Sequence, residues 1–149
     1  MRPERIDVQQ ARRMMEENDA AVYIDVRTEQ EFVEGHPEKS INIPIGVPNP
    51  AMQRFEANPE FLDVVRASVP DNTPLIIGCK AGPRAEMAAN FLSQNGFFDV
   101  RWVFGGFHGA TDAMGNVLAP GWRHLGFPEG QGAPEGASYS SLRKKAGKA

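Results

Sequence analysis

A short segment of the chain, residues 79 to 84, holds the residue types of a reactive cysteine. It reads Cys-Lys-Ala-Gly-Pro-Arg and contains the only cysteine among the 149 residues. An apolar run precedes Cys79, and a helical pattern begins at Pro83. The unpaired N–H groups and positive dipole end of a helix N-terminus, together with the charges of Lys80 and Arg84, would favour the thiolate over the thiol. The same surroundings would bind an oxyanion.

The sequence also allows a purely structural role for Cys79. Cysteine is among the most buried residue types, and a lone cysteine at the end of a strand can be a core residue. Gly82 would let the chain curl tightly around the sulfur, whereas Pro83 fits a first helical turn but removes one N–H donor. The pattern C-x-x-G-x-R at a strand–helix junction favours the nucleophile, and the core residue stays the alternative.

The three histidines offer little competing chemistry. His36, His108 and His124 lack the close spacing of zinc ligands. His108 could approach Cys79 and form the dyad of a cysteine hydrolase, which stays an alternative. A nucleophilic thiolate needs no further group, so we expect no metal and no organic cofactor.

Short apolar runs alternate with helical patterns up to about residue 104. Strands are predicted over residues 21–26, 41–44, 75–78 and 100–104. Helices are predicted to begin at two capping boxes, Asp7 with Gln10 and Thr28 with Glu31, then at Asn58-Pro59 and at Pro83. The last of these helices would bury Met87, Ala88, Phe91 and Leu92, and the two prolines within residues 47–50 indicate a loop.

This alternation predicts a three-layer α/β domain. Its central parallel sheet would be flanked by helices on both faces. In such sheets, functional residues gather at the carboxyl ends of the strands. Asp25 and Arg27 end one predicted strand and Cys79 ends another, so we expect the three to lie at one edge of the sheet.

Composition and charge exclude several classes of protein. A hydrophobic content of 41% is ordinary for a globular domain, and the net charge of −3 argues against a nucleic-acid-binding body. The charged N-terminal stretch does not read as a secretory signal, and no apolar run has the length of a membrane span, so a cytoplasmic location is expected. Residues 129–149 are rich in Gly, Ala, Ser, Pro and Lys, and we expect a disordered basic tail.

Motifs along residues 5–128 resemble those of the rhodanese family of sulfurtransferases. The active-site loop of that family resembles Cys79-x-x-Gly82-x-Arg84. Its other motifs resemble, in order, Asp25-Val26-Arg27, Glu31-Phe32, Gly35-His36, Asn42-Ile43-Pro44, Ala88-Ala89, Leu92, Gly96-Phe97, Val100, Gly105-Gly106, Trp122, Gly126 and Pro128. The resemblance implies one rhodanese domain over residues 5–128, with the α/β fold predicted above.

The resemblance also implies roles for individual residues. Cys79 would carry a sulfane sulfur as a persulfide, cradled by the backbone N–H groups of Lys80, Ala81, Gly82, Arg84 and Ala85, next to Pro83. Arg84 would also help hold an anionic donor such as thiosulfate. Asp25 and Arg27 would brace the loop, with Glu31 as a partner for Arg27. A structural network without a direct function stays the alternative for these last three.

The sequence departs from the family pattern at two places, and the length of its cysteine loop distinguishes two branches of the family. Residue 85 is alanine where many relatives have serine, and residues 107–121 form an insert that could act as a lid or a docking surface. From Cys79 to Arg84 the spacing is C-x4-R, shorter than the C-x5-R of the related phosphatase branch. The shorter loop suits a sulfur atom rather than a phosphate.

We therefore expect a sulfurtransferase that moves sulfur from thiosulfate or a related donor to a nucleophilic acceptor. The acceptor would be cyanide in an assay and a thiol, of a small molecule or of a protein, in the cell, and the Cys79 persulfide would link two half-reactions. A non-turnover sulfur carrier or protein-binding module is the first alternative. A phosphatase or arsenate-reducing relative is the second. Neither a membrane nor a nucleic-acid partner is expected, and the oligomeric state stays open.

Overall fold

The computed structural model describes residues 2–49, 51–52 and 54–148, and a parallel sheet of five strands forms its centre. In chain order the elements are β1 (Glu4–Ile6), α1 (Val8–Glu17), β2 (Val22–Asp25), α2 (Glu29–Glu34), β3 (His36–Pro37), β4 (Ile41–Asn42), β5 (Gly46–Asn49), β6 (Arg54–Ala57), α3 (Phe61–Ser68), β7 (Leu75–Gly78), α4 (Pro83–Ser93), β8 (Val100–Val103), β9 (Ala110–Thr111), β10 (Val117–Ala119), β11 (Glu129–Gly130) and α5 (Tyr139–Lys145). The strand order of the central sheet is β1-β8-β7-β2-β4. The predicted α/β architecture is confirmed.

Helices pack against the sheet through two separate hydrophobic core clusters. One core cluster combines the sheet with apolar residues of α3, α4 and α5, and the second combines it with α1 and the aromatic residues Phe107 and Trp122. All four residues of β7 are buried, as expected for the middle strand of a sheet covered on both faces. Among the described residues, no helix has the length and apolar character needed to cross a membrane.

Both predicted capping boxes are present at helix starts. The carboxylate of Asp7 accepts from the Gln10 N–H at 2.8 Å, and the Gln10 side chain accepts from the Asp7 N–H at 2.9 Å. Thr28 and Glu31 form the same reciprocal pair at the start of α2. Local residue spacing alone specifies such boxes, which is why the sequence located them.

Helix α4 buries only half of the apolar face that the sequence indicated, namely Ala88 and Leu92. Its buried residues are Ala85, Ala88, Ala89 and Leu92. Met87 and Phe91, which were expected in the core, are 64% and 40% exposed. The small alanines let α4 pack closely on the sheet, so the larger side chains are left on the outer surface.

Residues 47–49, expected in a loop, form part of an antiparallel hairpin instead. Strands β5 and β6 pair with each other from Gly46 opposite Ala57 to Asn49 opposite Arg54. Because this sheet has only two strands, Pro48 can take a position that needs no N–H donor. Pro50 lies outside the described residues. Helix α3 also begins at Phe61, later than the predicted start at Pro59.

The expectation of a disordered tail over residues 129–149 is wrong for its described part, 129–148. Strand β11 pairs with β3, and Tyr139 and Leu142 of α5 are buried in the core. Polar contacts tie α5 and the residues after it to the middle of the chain: Asn58 Nδ2 donates to the Tyr139 hydroxyl at 2.8 Å, Arg143 pairs with Glu60, and Lys148 pairs with Asp63. The two apolar anchors offset the cost of ordering a polar segment.

Candidate active site

Cys79 lies directly after β7, the middle strand, at the carboxyl edge of the sheet. Its side chain is only 2% exposed and belongs to the core cluster of α3, α4 and α5. Strand β2 ends beside it, since Asp25 pairs in register with Gly78. The structure thus gives Cys79 the burial of a core residue and the position expected for a nucleophile.

Residues 105–108, just beyond the end of β8, bind the cysteine loop through their backbone. We call these four residues the loop clamp. The Phe107 N–H donates to the carbonyl of Cys79 at 2.9 Å, and the His108 N–H donates to that of Lys80 at 2.9 Å. The Gly105 N–H donates to the carbonyl of Ala81 at 2.7 Å. Three successive carbonyls of the loop are therefore bound on one side.

The loop clamp also sets the direction of the loop's N–H groups. In a trans peptide, the C=O of one residue and the N–H of the next point in opposite directions. Because the carbonyls of residues 79–81 face the clamp, the N–H groups of Lys80, Ala81 and Gly82 point away from it. Arg84 and Ala85 follow in the first turn of α4. The five predicted cradle residues thus follow Cys79 in one continuous segment that leads into α4, and their role as a cradle for the sulfur stays a prediction.

Gly106 is required by the close approach of the clamp to the loop. Its φ is +57°, a conformation that favours glycine. A β-carbon at this position would overlap the carbonyl oxygen of Cys79 and lie 2.7 Å from that of Lys80. Sequence reasoning did not assign Gly106 to the site, although the Gly105-Gly106 pair was part of the family resemblance.

Gly82 and Pro83 form the junction between loop and helix. The φ and ψ of Gly82 are +161° and −42°, a pair that belongs to neither a strand nor a helix, as the expected tight curl requires. A β-carbon at this position would also lie 3.3 Å from the Trp102 ring, closer than an ordinary contact. Pro83 occupies the first turn of α4 as predicted.

Arg84 is fixed by Glu31 of α2. Its Nη1 and Nη2 donate to the two carboxylate oxygens of Glu31 at 2.7 and 3.1 Å, and both side chains are 27% exposed. Burial alone would raise the pKa of Glu31, but hydrogen bonds from Arg84 and from the Thr28 N–H, together with the charges of Arg84 and Arg27, lower it to about 2. One carboxylate therefore caps α2 and orients the last residue of the cysteine loop.

The ion pair between Glu31 and Arg84 should make stability depend on acid pH. Because the folded-state pKa of Glu31 is about 2 against an ordinary 4.5, its contribution is complete above pH 4.5 and is lost as the pH falls towards 2. We expect Glu31→Gln to lower the free energy of unfolding by about 1–2 kcal/mol at neutral pH, and by much less near pH 2, with allowance for partial exposure.

Urea denaturation across this pH range measures the effect. Glu34→Gln, which alters an exposed carboxylate of the same helix, is the matched control and should leave the pH profile unchanged. Parallel profiles for wild type and Glu31→Gln would contradict the assigned ion pair.

Asp25 and Arg27 form a buried ion pair beneath the loop. Arg27 Nε and Nη2 donate to the Asp25 carboxylate at 2.9 and 2.6 Å, and both side chains are almost fully buried. Burial would lower the pKa of Arg27, but the charge and hydrogen bonds of Asp25 raise it, so the guanidinium stays charged. The expected pairing of Arg27 with Glu31 is wrong, since Glu31 binds Arg84 instead.

Phe107 connects this ion pair to the loop clamp. The guanidinium carbon of Arg27 lies 4.6 Å from the centre of the Phe107 ring, and that of Arg123 lies 4.7 Å from it. Arg123 in turn binds Glu129 at 3.0 Å. Sequence reasoning missed Phe107 and Arg123 as supports of the site, because no local pattern brings residues 27, 107 and 123 together.

His108 adds a polar group near the loop but no catalytic dyad. Burial and the charges of Arg27, Arg123 and Lys80 lower its pKa. Within the described part of the chain, no hydrogen bond joins its ring to Cys79; its backbone contacts Lys80 instead. Nor do three or more His, Cys, Asp or Glu side chains converge as metal ligands among residues 2–49, 51–52 and 54–148.

The insert over residues 107–121 is an ordered hairpin. Strands β9 and β10 pair antiparallel, and Met114, Val117 and Leu118 are exposed on it. Its first two residues belong to the loop clamp, so the insert begins directly at the site. A lid or docking role for the rest stays a prediction.

Comparisons with known proteins point to one family. The profile of the rhodanese-like domain matches residues 7–113. The chain is 38% identical over 104 residues to rhodanese-like domain-containing protein 17 of Arabidopsis thaliana, an alignment that covers 68% of this chain and 64% of that protein, somewhat under two thirds. It is 36% identical over 104 residues to thiosulfate sulfurtransferase 18 of the same plant, covering 68% of this chain and 74% of the relative. The crystal structure of Rv0390 from M. tuberculosis superposes with a TM-score of 0.73 at 30% identity, covering 89% of this chain and all of that one.

Proposed function

Because this chain belongs to the rhodanese family, we propose that it is a sulfurtransferase that carries a sulfane sulfur on Cys79. The Cys79 thiolate attacks the outer sulfur of thiosulfate, the S–S bond of the donor breaks, and sulfite leaves with the bonding electron pair. A Cys79 persulfide anion remains. A nucleophilic acceptor, cyanide or a thiolate, then attacks the outer sulfur and releases the Cys79 thiolate. Relatives named thiosulfate sulfurtransferase support this assignment.

The loop clamp is the observation that carries the proposal. Its bonds to three carbonyls direct the N–H groups of Lys80, Ala81 and Gly82 away from the clamp. In this proposal these groups, together with those of Arg84 and Ala85 in the first turn of α4, surround the cysteine sulfur. Preset donors of this kind stabilise an anion without rearranging, and in this mechanism Cys79 is an anion both as the thiolate and as the persulfide.

In this proposal, two cationic side chains attract the anionic sulfur donor. Lys80 is exposed at the loop, and Arg84 is held in place by Glu31 while keeping part of its surface open. Positive charge at the opening draws small anions such as thiosulfate towards the buried sulfur. Asp25 and Arg27 act indirectly, since their contacts support Phe107 and hence the clamp.

The length of the loop favours sulfur over phosphate chemistry. The C-x4-R spacing from Cys79 to Arg84 forms a turn of six residues, and its carbonyls are already bound by the clamp. A phosphate would need a wider ring of donors than this turn contains. We therefore favour the sulfurtransferase over a phosphatase or arsenate-reducing relative.

Intact-protein mass spectrometry tests the proposal directly. After incubation with thiosulfate and removal of the donor, wild type should gain the mass of one sulfur atom, which cyanide should then remove as thiocyanate. Cys79→Ser should gain nothing. Equal sulfur addition to both proteins, or none to wild type with thiosulfate and with persulfide donors, would refute the assignment.

Mass spectrometry with different donors also distinguishes a thiosulfate sulfurtransferase from a sulfur carrier. A Cys79 persulfide that forms from a protein persulfide but not from thiosulfate would indicate a sulfur carrier rather than a thiosulfate sulfurtransferase. The physiological acceptor and the cytoplasmic location stay predictions.

A further inference from the structure

The side chain of His108 lies beside the cysteine loop and has no part in the function proposed above. Its backbone N–H binds the Lys80 carbonyl at 2.9 Å, which fixes the residue next to the start of the loop. The residue itself is exposed. Within residues 2–49, 51–52 and 54–148, neither ring nitrogen of His108 takes part in a hydrogen bond. A neutral imidazole there has one nitrogen that can accept a proton from a bound molecule.

The imidazole of His108 is held in place by Phe107. The two rings meet edge to face, with their centres 5.0 Å apart and their planes at 89°. Phe107 is buried, and the guanidinium carbons of Arg27 and Arg123 lie 4.6 and 4.7 Å from the centre of its ring. Because the supporting ring is itself packed on several sides, His108 keeps a defined position at the surface.

Charged side chains surround the imidazole from each element near it. They are Lys80 on the cysteine loop, Glu31 on α2, Arg27 after β2 and Arg123 after β10. Burial and the three cations lower the pKa of His108 from its ordinary 6.5, against the opposing charge of Glu31. The imidazole is therefore mostly neutral at pH 7. Lys80 begins the loop and Glu31 holds Arg84 at its end, so the ring lies near both ends of the loop.

The second half-reaction is the one that needs a base. Thiosulfate reaches Cys79 as an anion, whereas a thiol acceptor carries a proton that must leave as the sulfur attacks. A cysteine-type thiol has a pKa of about 8.5, so only about one molecule in thirty is a thiolate at pH 7. A base beside the persulfide can therefore raise the rate by at most about thirtyfold at this pH.

We propose that His108 is the base that takes the proton of a thiol acceptor as this acceptor attacks the Cys79 persulfide; the proposal rests on the sulfurtransferase function above. The S–H bond of the acceptor breaks, and its proton binds a ring nitrogen of His108. The acceptor sulfur bonds to the outer sulfur of the persulfide, the S–S bond breaks, and Cys79 leaves as a thiolate with the bonding electron pair. The imidazolium then passes the proton to water. No oxidant or reductant enters, and the base serves the acceptor rather than Cys79.

Single-turnover transfer from the Cys79 persulfide to glutathione, measured between pH 7 and pH 9, tests the role of His108. His108→Gln keeps the backbone N–H that binds Lys80 but has no basic nitrogen. We expect it to lower the rate about tenfold at pH 7 and less than about twofold at pH 9, where the thiol ionises without a base. The wild-type rate should rise about threefold over this range because the imidazole is already neutral, and the variant rate about twentyfold as thiolate accumulates.

Two further proteins control for changes of structure. Met114→Gln alters an exposed side chain between β9 and β10 and should follow the wild-type profile. His108→Asn, with a shorter amide, should follow the profile of His108→Gln. An equal loss at pH 7 and pH 9 would show that the His108 side chain only supports the loop and would overturn the proposal, as would a wild-type profile for both His108 variants.

The methyl disulfide of Cys79 separates this proposal from the proposed function. It can be formed with dimethyl disulfide, and glutathione cleaves it by the same attack on the outer sulfur without any sulfur donor. His108→Gln should slow this cleavage about tenfold at pH 7 and hardly at pH 9, even if no donor loads sulfur on Cys79, in which case only the sulfurtransferase assignment fails. Equal cleavage rates in wild type and His108→Gln at both pH values would overturn the base alone.

Discussion

Asp25→Asn should destabilise the protein more than any other single exchange of a charged group in the site. It leaves the guanidinium of Arg27 buried and charged, with the Gly35 carbonyl and the Phe107 ring as its remaining partners. Removing one member of a buried ion pair costs about 3–5 kcal/mol, because the other charge is left without compensation. Without Asp25, burial lowers the pKa of Arg27, but an arginine guanidinium keeps its proton in proteins, so the uncompensated charge remains.

Chemical denaturation of wild type, single and double variants measures this cost. The double variant Asp25→Asn with Arg27→Gln removes both charges, and we expect it to recover more than half of the lost stability. Glu16→Gln is the control, because it breaks the exposed pair with Arg12 and should change stability by less than about 1 kcal/mol. A loss for Asp25→Asn as small as that of the control would contradict the role of the buried pair.

Gly106→Ala should disable the cysteine loop. The added methyl group would overlap the Cys79 carbonyl oxygen, so the clamp must move away and its bonds to the loop must lengthen or break. Without them the loop N–H groups lose their fixed direction. Loss of one preset donor in an oxyanion hole typically costs about 10²–10³ in rate, and several change together here. We therefore expect sulfur transfer from thiosulfate to fall at least about 100-fold.

Gly115→Ala provides the matched control for Gly106→Ala. Gly115 also has a positive φ, +85°, but a β-carbon there would meet nothing within 4 Å. It should therefore show only the backbone cost, about 1 kcal/mol, with unchanged sulfur transfer. If Gly106→Ala unfolds, the loss of stability beyond that of Gly115→Ala reports the same overlap. Equal activity and stability of the two variants would refute the clamp.

The sequence predicted those parts of the site that local spacing determines. Strand β7, the cysteine turn and α4 follow one another within 19 residues, so apolar runs, glycine and proline mark them directly. The two capping boxes are equally local. Local spacing could not predict which cation pairs with which carboxylate. Glu31 lies four residues from Arg27 in the chain, yet its partner is Arg84, 53 residues away. Only the register of α2 against the sheet decides between them.

The loop clamp and the tail were missed for two further reasons. The clamp acts through backbone N–H groups, which every residue except proline has, so only the glycine at position 106 marks it in the sequence. The tail has the composition of a disordered segment, and the signal for α5 was slight: Ser138 as an N-cap, with Tyr139 and Leu142 on one face. Tertiary burial of those two residues outweighed the composition.

The bonds between clamp and loop mean that the proposed anion cradle would be organised in advance of any donor. Thiosulfate has no remote groups whose binding energy could order a loop. If the turn at Cys79 were mobile, each catalytic cycle would include the entropic cost of ordering it. Here that entropy is lost once, when the chain folds and residues 105–108 close on residues 79–81. Preorganisation during folding is thus what would let so small a donor be used efficiently.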